Sequence, residues 1–460
     1  MDETTMAYDT LLIPDTSGFT FGRAPKPVEC GSGLNVGGGK VFPELNFTLP
    51  PMAITAGTWQ SVMAEYREIG EMILRAAPRL RLPGLMVEFE LLPPMTETPE
   101  WGAEIVTLLH ETLRRLHEES GIPCALRVTP TDIRDMERPP LLRRGRSWEA
   151  LCVSLTSCAR AGADLLSIES VGGKEVHDQS LLYGDVHGMI FALGVLAPRD
   201  MEFLWDAIVR ICKETGVVPG ADSACGFANT AMQLAGQGML PEVLAAVVRA
   251  ASAVRSLVAF SRGAVGPSKD CAYEGPVIKA ITGAPISMEG KSASCAHFSP
   301  VGNIASALCD LWSNESVQNV RLLSGSAPEA FLESLAYDCR VMNQALRSGR
   351  EREYRDLLVE SDVHLSPQAL VLSPDSTIRI AESIVRETTP YRQTCSAARE
   401  AVTLIRDAIR EERLVIPKRE SQWLDRIESA LDSLPEKEEE LIAPMIGSYG
   451  SLFTPSSYGL

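Results

Sequence analysis

The amino-acid sequence predicts an α/β protein, a TIM (β/α)8 barrel with an N-terminal elaboration and a C-terminal α-helical appendage. Three observations favour this fold. Short apolar stretches alternate with longer helical patterns from about residue 84 to 325, at least seven of the stretches fit strands, and after residue 326 the pattern is helical alone. Such alternation is typical of a parallel sheet, and this many strands favour a closed barrel over a small open sheet.

The candidate strands are residues 85–90, 125–128, 163–170, 217–219, 256–260, 285–288 and 319–323. Between them, apolar residues at helical spacing predict helices over residues 148–161, 201–214 and 241–253. The stretch 188–196 is apolar throughout, so periodicity leaves strand and helix open. This stretch is our candidate for the eighth barrel element.

We expect three parts along the chain: an N-terminal elaboration over residues 1–80, the barrel over 81–325 and a helical segment over 326–460. The first part contains a glycine-rich loop and one helical pattern. The last part contains several helical patterns, which we expect to contact another subunit or a partner protein.

Charge and composition exclude several classes of protein. The 460 residues are 45% apolar and 22% charged, and 43 basic against 60 acidic residues give a formal net charge of −17. Such an acidic chain is a poor partner for nucleic acid or an anionic membrane. Because the first residues lack the basic start and apolar stretch of a secretory signal, and no apolar run reaches about 18 residues, we expect a cytoplasmic protein.

Several common motifs are missing. The eleven cysteines include no C-x-x-C pair, so zinc fingers and thioredoxin-type centres are not expected and most thiols should be reduced. The glycines of residues 31–37 miss the dinucleotide-binding spacing by one place, and Pro285 stands where a Walker phosphate loop needs its first glycine. Neither G-x-S-x-G nor H-E-x-x-H occurs, so serine-hydrolase and zincin chemistry lose their usual signals.

Three residues suited to metal binding follow successive strand candidates. Glu169 ends one of them, Cys225 lies just past the next, and Cys271 follows the one after that. Because the carboxyl ends of parallel barrel strands meet at one mouth, these side chains could converge there. Position alone leaves a second interpretation open, since free cysteines are commonly buried as small apolar side chains and a strand-end glutamate is often only solvated.

Five strings resemble the family of zinc-containing methanol:corrinoid methyltransferase subunits: GADLLSIESVGGKEV at 162–176, ANTAM at 228–232, GPSKDCAYE at 266–274, MEGKSASCAH at 288–297 and DLWSNES at 310–316. The similarity extends from about Phe21 to Leu460, which is nearly the whole chain.

The resemblance implies a TIM barrel with one catalytic zinc ion, bound by Glu169, Cys225 and Cys271. It also implies an enzyme that activates methanol and transfers its methyl group to the reduced cobalt of a separate corrinoid protein. A homodimer that carries corrinoid (cobalamin) subunits is the expected assembly. The three residues found at strand ends are thus the same three that the resemblance assigns to zinc.

A zinc ion with two thiolate ligands and one carboxylate ligand has a net negative charge, so it is a softer Lewis acid than a three-histidine site. We therefore expect a proton donor to help hydroxide leave from methanol. Candidate donors at other strand ends are Glu88, Glu90, Asp222 and Glu289, and candidate hydrogen-bonding neighbours are Asn229, Lys269 and His297. For each of these side chains, a supporting or purely structural role is the commoner alternative.

Two other functions fit the same residues. A related zinc methyltransferase for a methylamine or a methoxylated donor would share the barrel, the zinc and the corrinoid partner, and would differ only in the shape of its pocket. A non-catalytic subunit would scaffold a corrinoid protein through the helical appendage. The complete trio of ligands favours an enzyme over the scaffold.

Overall fold

The computed structural model describes residues 8–269, 272–293, 299–318, 320–322 and 325–460. Strands β1 (Arg23–Cys30) and β2 (Leu34–Gly38) form an antiparallel hairpin. The next seven strands are β3 Phe42–Thr48, β4 Leu85–Leu91, β5 Cys124–Pro130, β6 Leu165–Ile168, β7 Val218–Asp222, β8 Ser287–Glu289 and β9 Leu311–Val317. They form one parallel sheet in the order β7-β6-β5-β4-β3-β9-β8.

An irregular segment, residues 265–268, closes the sheet between its two edge strands. On the β7 side, the backbone N–H of Gly266 donates to the carbonyl of Gly220 at 2.8 Å. On the β8 side, Ser268 pairs in parallel with Ile286, and the N–H of Ser287 donates to the Ser268 carbonyl at 3.0 Å. Because a proline at position 267 has no N–H to donate, a regular ladder cannot form here. The segment is the eighth element of a (β/α)8 barrel, which confirms the predicted fold.

Five of the seven predicted strands are confirmed, namely those at 85–90, 125–128, 163–170, 217–219 and 285–288. The prediction for 256–260 is wrong, because these residues lie in the helix Glu242–Ser261. The prediction for 319–323 is also misplaced. The barrel strand is Leu311–Val317, while a short strand β10 (Arg321–Leu322) pairs with β11 (Gly325–Ser326) outside the barrel.

The ambiguous stretch 188–196 is helical. It lies in the helix Val186–Phe191 and the π-helical turn Ala192–Leu196 that follows it. Strand β3 pairs with β4 on one side and with β9 on the other, and six of its seven residues are buried. The barrel sheet therefore begins within the segment that we expected to be an N-terminal elaboration.

Helices cover the outside of the barrel. The longer ones among the described barrel residues are Trp59–Leu80, Pro99–Ser120, Arg146–Ala161, Lys174–Tyr183, Ala197–Thr215, Glu242–Ser261 and Gly275–Thr282. Shorter ones are Pro93–Glu97, Thr230–Gly236 and Gly302–Ser306. The chain ends in Ala327–Ser348, Glu351–Asp362, Pro367–Leu372, Pro374–Val385, Pro390–Arg410, Lys418–Asp432 and Glu438–Tyr449.

The helix Glu242–Ser261, called the core helix below, lies between the barrel and the C-terminal helices. It contacts strand β7 on one side and the helix Pro390–Arg410 on another. Residues 243 to 260 of this helix are all buried. In the described part of the chain it is the one helix with the length and hydropathy of a membrane span, and its apolar stretch is buried throughout. Burial on every side explains why it is apolar all round.

Candidate active site

The carboxyl ends of strands β4, β5 and β6, together with the turn after β7, border a cavity of about 210 Å³. Glu169 comes directly after strand β6, and it forms an isolated parallel bridge with Thr131 beyond strand β5. Glu90, Glu169 and Gly226 all line the cavity, and Gly226 is the residue after Cys225. The segments that carry two of the three predicted zinc ligands therefore meet at one barrel mouth, as barrel geometry requires.

One lysine joins three carboxylates beside this cavity. The Nζ of Lys269 lies 2.8 Å from Oε1 of Glu169 and 3.3 Å from Oε1 of Glu88, and it also contacts Glu90. Lys269 and Glu88 are buried, while the side chains of Glu90 and Glu169 are 37% and 30% exposed. Thr129 donates a further hydrogen bond of 2.9 Å to Glu88. The structure thus brings four of the predicted site residues into direct contact; we call them the mouth cluster.

The mouth cluster holds more negative than positive charge. Burial raises the pKa of Glu169 to about 7, against the opposing effect of the Lys269 ammonium, and the neighbouring Glu90 raises it further. Burial acts to lower the pKa of Lys269, but the three carboxylates outweigh it and hold that pKa well above its ordinary value. Protons and cations are therefore attracted to this end of the barrel.

Sequence reasoning missed Glu315, a further carboxylate near the mouth cluster. It lies on strand β9, where burial raises its pKa, and the charge of Glu90 raises it too. The residue is part of the string at 310–316, but the barrel strand was predicted at 319–323. A correct placement of the strand would have pointed to it, since alternate residues of a barrel strand face inwards.

Cys225 begins a π-helical turn, Cys225–Asn229, that follows strand β7. The Nδ2 of Asn229 donates to the Cys225 sulfur at 3.4 Å, and Gln233 donates to the Asn229 oxygen at 3.3 Å. Cys225 and Asn229 are both half-buried. Turns of this kind are frequent at functional sites, and the wider turn here places the amide of Asn229 against the sulfur. An aligned amide donor stabilises negative charge on that sulfur.

Apart from Cys225, the described cysteines, eight in number, are free. Zinc ligation requires reduced thiolates, so Cys225 must be reduced to bind the metal.

The predictions for Cys271 and His297 lie outside the described residues. Within the described ranges, no group of three His, Cys, Asp or Glu side chains is arranged to hold a metal ion. Of the predicted trio, Glu169 and Cys225 belong to those ranges.

Asp222 and Glu289, two of the predicted proton donors, lie outside the mouth cluster and do not line the cavity. Asp222 is fully buried, and its two oxygens are engaged by Arg255 at 3.1 Å and by the indole N–H of Trp205 at 3.2 Å. Burial raises the pKa of Asp222, against the opposing charge of Arg255. Glu289 ends strand β8, is 7% exposed, and accepts a 3.4 Å hydrogen bond on its backbone carbonyl from Tyr273.

Comparisons with known proteins cover the whole chain. A family model described as "Methanol-cobalamin methyltransferase B subunit" matches residues 4–459. The methanol–corrinoid protein co-methyltransferase of Methanosarcina barkeri is 37% identical over 459 residues, which are 98% of this chain and 99% of that protein. A chain in the crystal structure of the methanol:cobalamin methyltransferase complex MtaBC from Methanosarcina barkeri superposes with a TM-score of 0.94, at 36% identity, over 98% of this chain and 99% of that one.

Proposed function

Because this chain belongs to the methanol-cobalamin methyltransferase B subunit family and transfers the methyl group of methanol to a corrinoid protein, we propose that its reaction depends on zinc held by Glu169, Cys225 and Cys271. The observation that carries the proposal is the convergence of the Glu169 and Cys225 segments on one cavity. A half-buried carboxylate and a cysteine with an aligned amide donor are ligands that zinc accepts. The prediction of methanol as donor is confirmed by the relatives, so the methylamine, methoxylated-donor and scaffold alternatives are set aside.

The bound ion would act as a Lewis acid for the oxygen of methanol, because three protein ligands leave a fourth zinc position open. The protein side chains must do the rest. Hydroxide is a poor leaving group, so a proton has to reach the methanol oxygen as its bond to carbon breaks.

Glu90 is our choice for the group that holds this proton. Of the four carboxylates predicted as donors, it is the one that lines the described cavity. Glu88 is enclosed between Lys269 and Thr129, and Asp222 is engaged by Arg255. A carboxyl group that reaches the cavity can hold a proton on Oε1 or Oε2 next to the substrate. The buried carboxyl groups do not reach the cavity, so they cannot contact the substrate directly.

Lys269 serves to keep several carboxylates at the mouth of the barrel. Its ammonium compensates part of the charge of Glu88, Glu90 and Glu169, which would otherwise repel one another in a partly dry site. The cavity that Glu90 and Glu169 border is small, which suits a substrate of methanol's size.

The acceptor of the methyl group lies on a corrinoid protein, the class of partner with which the solved relative was crystallised. We propose that this partner docks over the carboxyl ends of the strands, where the cavity opens. We also propose a homodimer of this chain in the cytoplasm, whose reducing environment keeps cysteine ligands available as thiolates.

The decisive experiment measures zinc and methyl transfer on the reduced protein. The wild type should contain stoichiometric zinc and methylate a reduced corrinoid protein from methanol, whereas Cys225→Ala and Cys271→Ala should lose both. Cys152→Ala is the matched control, because Cys152 is a free, half-buried thiol on the helix Arg146–Ala161. Zinc that stays stoichiometric in Cys225→Ala and Cys271→Ala would show that the ligands are assigned incorrectly.

A further inference from the structure

The core helix carries a fully buried arginine that the reaction as described does not use. Arg255 is 0% exposed in a helix whose other buried residues are mostly apolar. Burying a guanidinium is costly unless it is paired, and its Nε has no hydrogen-bond partner among the described residues. An apolar side chain would pack this helix at lower cost. The charge at this position therefore requires an explanation beyond packing.

Arg255 connects the two segments that carry Glu169 and Cys225. Its Nη2 contacts Oγ of Ser170, the residue after Glu169, and also Oδ1 of Asp222 at 3.1 Å. Its Nη1 donates to the carbonyl of Ser223 at 3.0 Å, two residues before Cys225.

The guanidinium also stacks on the π-helical turn itself. The Cζ of Arg255 lies 4.6 Å from the ring centroid of Phe227, which belongs to the same turn as Cys225. The planar fork of arginine allows these contacts at once, because its nitrogens donate in the plane while its face meets the ring. An ammonium group has neither the fork nor the face.

The next residue of the core helix makes a related connection. Ser256 donates to Oε1 of Glu274 at 2.9 Å, and the same oxygen accepts from the backbone N–H of Ala224 at 2.6 Å. Ala224 immediately precedes Cys225, and Glu274 follows Cys271 by three positions. Neighbouring residues of one buried helix thus contact chain segments next to all three proposed ligands.

We propose that Arg255 is a positioning residue, which fixes the separation of the Glu169 carboxylate and the Cys225 sulfur from the buried side of the barrel. This inference rests on the proposed zinc site. Arg255 touches neither the cavity nor either ligand atom in the described contacts, so it acts through Ser170, Ser223 and Phe227. Residues that orient metal ligands in this way influence metal affinity strongly.

The test compares zinc affinity in Arg255→Met, Arg255→Lys and the wild type, by competition with a chromophoric chelator on the full-length reduced protein. Arg255→Met keeps the bulk of the side chain but loses the fork, and its zinc affinity should fall by about 10- to 100-fold. Arg255→Lys should recover only part of this loss, since one ammonium cannot bridge both segments.

A spectroscopic measurement separates positioning from general destabilisation. With Co²⁺ as the added metal, the thiolate-to-cobalt absorption band should shift or weaken in Arg255→Met. Arg355→Met is the matched control: Arg355 is a buried arginine that donates to the carbonyls of Thr16 and Phe19, remote from the mouth. That variant should keep the wild-type zinc affinity and cobalt spectrum even if its melting temperature falls.

Ser170→Ala covers the case in which Arg255→Met does not fold. It removes one acceptor of the guanidinium with little change in packing, and it should weaken zinc in the same direction. If folded Arg255→Met, or Ser170→Ala in its place, binds zinc and cobalt as the wild type does, the positioning role is refuted while the zinc site stands. A wild-type protein without zinc would instead overturn the zinc site itself, and this inference with it.

Discussion

Two ionic clusters within the same barrel differ in their burial and in their charge balance. In the inner cluster, Nε of Arg127 lies 2.8 Å from Oε1 of Glu44, and both side chains are almost fully buried. Arg127 also donates to Oγ of Ser167 and to the carbonyl of Pro267, so one cation meets one anion and further neutral acceptors. In the mouth cluster, one lysine meets three carboxylates next to a cavity.

The difference separates a structural ion pair from the proposed active site. A closed, balanced pair fills the interior of a barrel at tolerable cost, because each charge has its partner and the surrounding groups supply hydrogen bonds. An unbalanced cluster beside a cavity keeps an excess of negative charge, which favours the binding of protons or metal ions. A site that binds zinc and donates a proton, as proposed here, requires such an excess of negative charge. If the two clusters differ as their charges suggest, substitutions in them should have different effects.

The largest effect is expected from the carboxylate of Glu169. Glu169→Gln should lose bound zinc, and its methyl transfer should fall by about a thousandfold or more, since Lewis-acid polarisation is worth several kcal/mol. Metal analysis and single-turnover methylation of the corrinoid protein measure both quantities. Glu44→Gln is the matched control, because it makes the same carboxylate-to-amide change in the inner cluster. It should keep stoichiometric zinc. Equal loss of zinc in both variants would contradict the distinction.

The inner cluster should matter most for stability. Arg127→Met leaves Glu44 buried without its cation, which should lower the free energy of unfolding by about 3–5 kcal/mol. Urea denaturation of the zinc-loaded protein measures this loss, and the activity of the molecules that remain folded should be close to that of the wild type. The double variant Arg127→Met/Glu44→Leu should recover most of the stability, because neither charge is then buried alone. A double variant as unstable as the single one would argue against the pair as the cause.

Lys269→Met should have a smaller effect on stability and a larger one on catalysis. Glu90 and Glu169 are partly exposed, so water can solvate them when the ammonium is removed, and the buried Glu88 keeps its hydrogen bond from Thr129. We expect methyl transfer to fall by about 10- to 100-fold, as for other residues that support a metal ligand. Lys291→Met, which breaks an exposed ion pair with Asp338, is the control and should leave the rate unchanged. A wild-type rate in Lys269→Met would remove the lysine from the mechanism.

The smallest effect concerns Glu315 and depends on pH. Burial raises the pKa of this carboxyl in the folded protein, so its ionisation costs stability as the pH rises through that raised pKa. At pH 8, Glu315→Gln should therefore stabilise the metal-free protein, by about 1 kcal/mol or less. The gain should shrink as the pH is lowered towards 5, because the folded protein takes up a proton at Glu315 more readily than the unfolded chain does. Thermal unfolding at both pH values measures this, and a gain that does not change with pH would point to packing instead.

The sequence predicted the barrel well where its strands lie between distinct turns and helices. Strands β4 to β7 are short apolar runs with polar ends, so local periodicity identified them and placed Glu169 and Cys225 at one mouth. The same reasoning failed for residues 256–260. A helix that is buried on every side is apolar on every side, and a five-residue window of it has no period that distinguishes it from a strand.

The sequence by itself therefore determined the fold class, the approximate ends of strands β4 to β7 and the residue types suited to zinc, because hydrophobic patterning and turn chemistry are local properties. Only the tertiary structure decided which charged residues meet: that Lys269 joins Glu88, Glu90 and Glu169, that Asp222 pairs with Arg255, and that residues 265–268 close the barrel. These contacts join segments far apart in the chain, and their partners are set by how the strands and helices pack. A buried arginine in an apolar helix signals that such a partner exists, but its position in space identifies the partner.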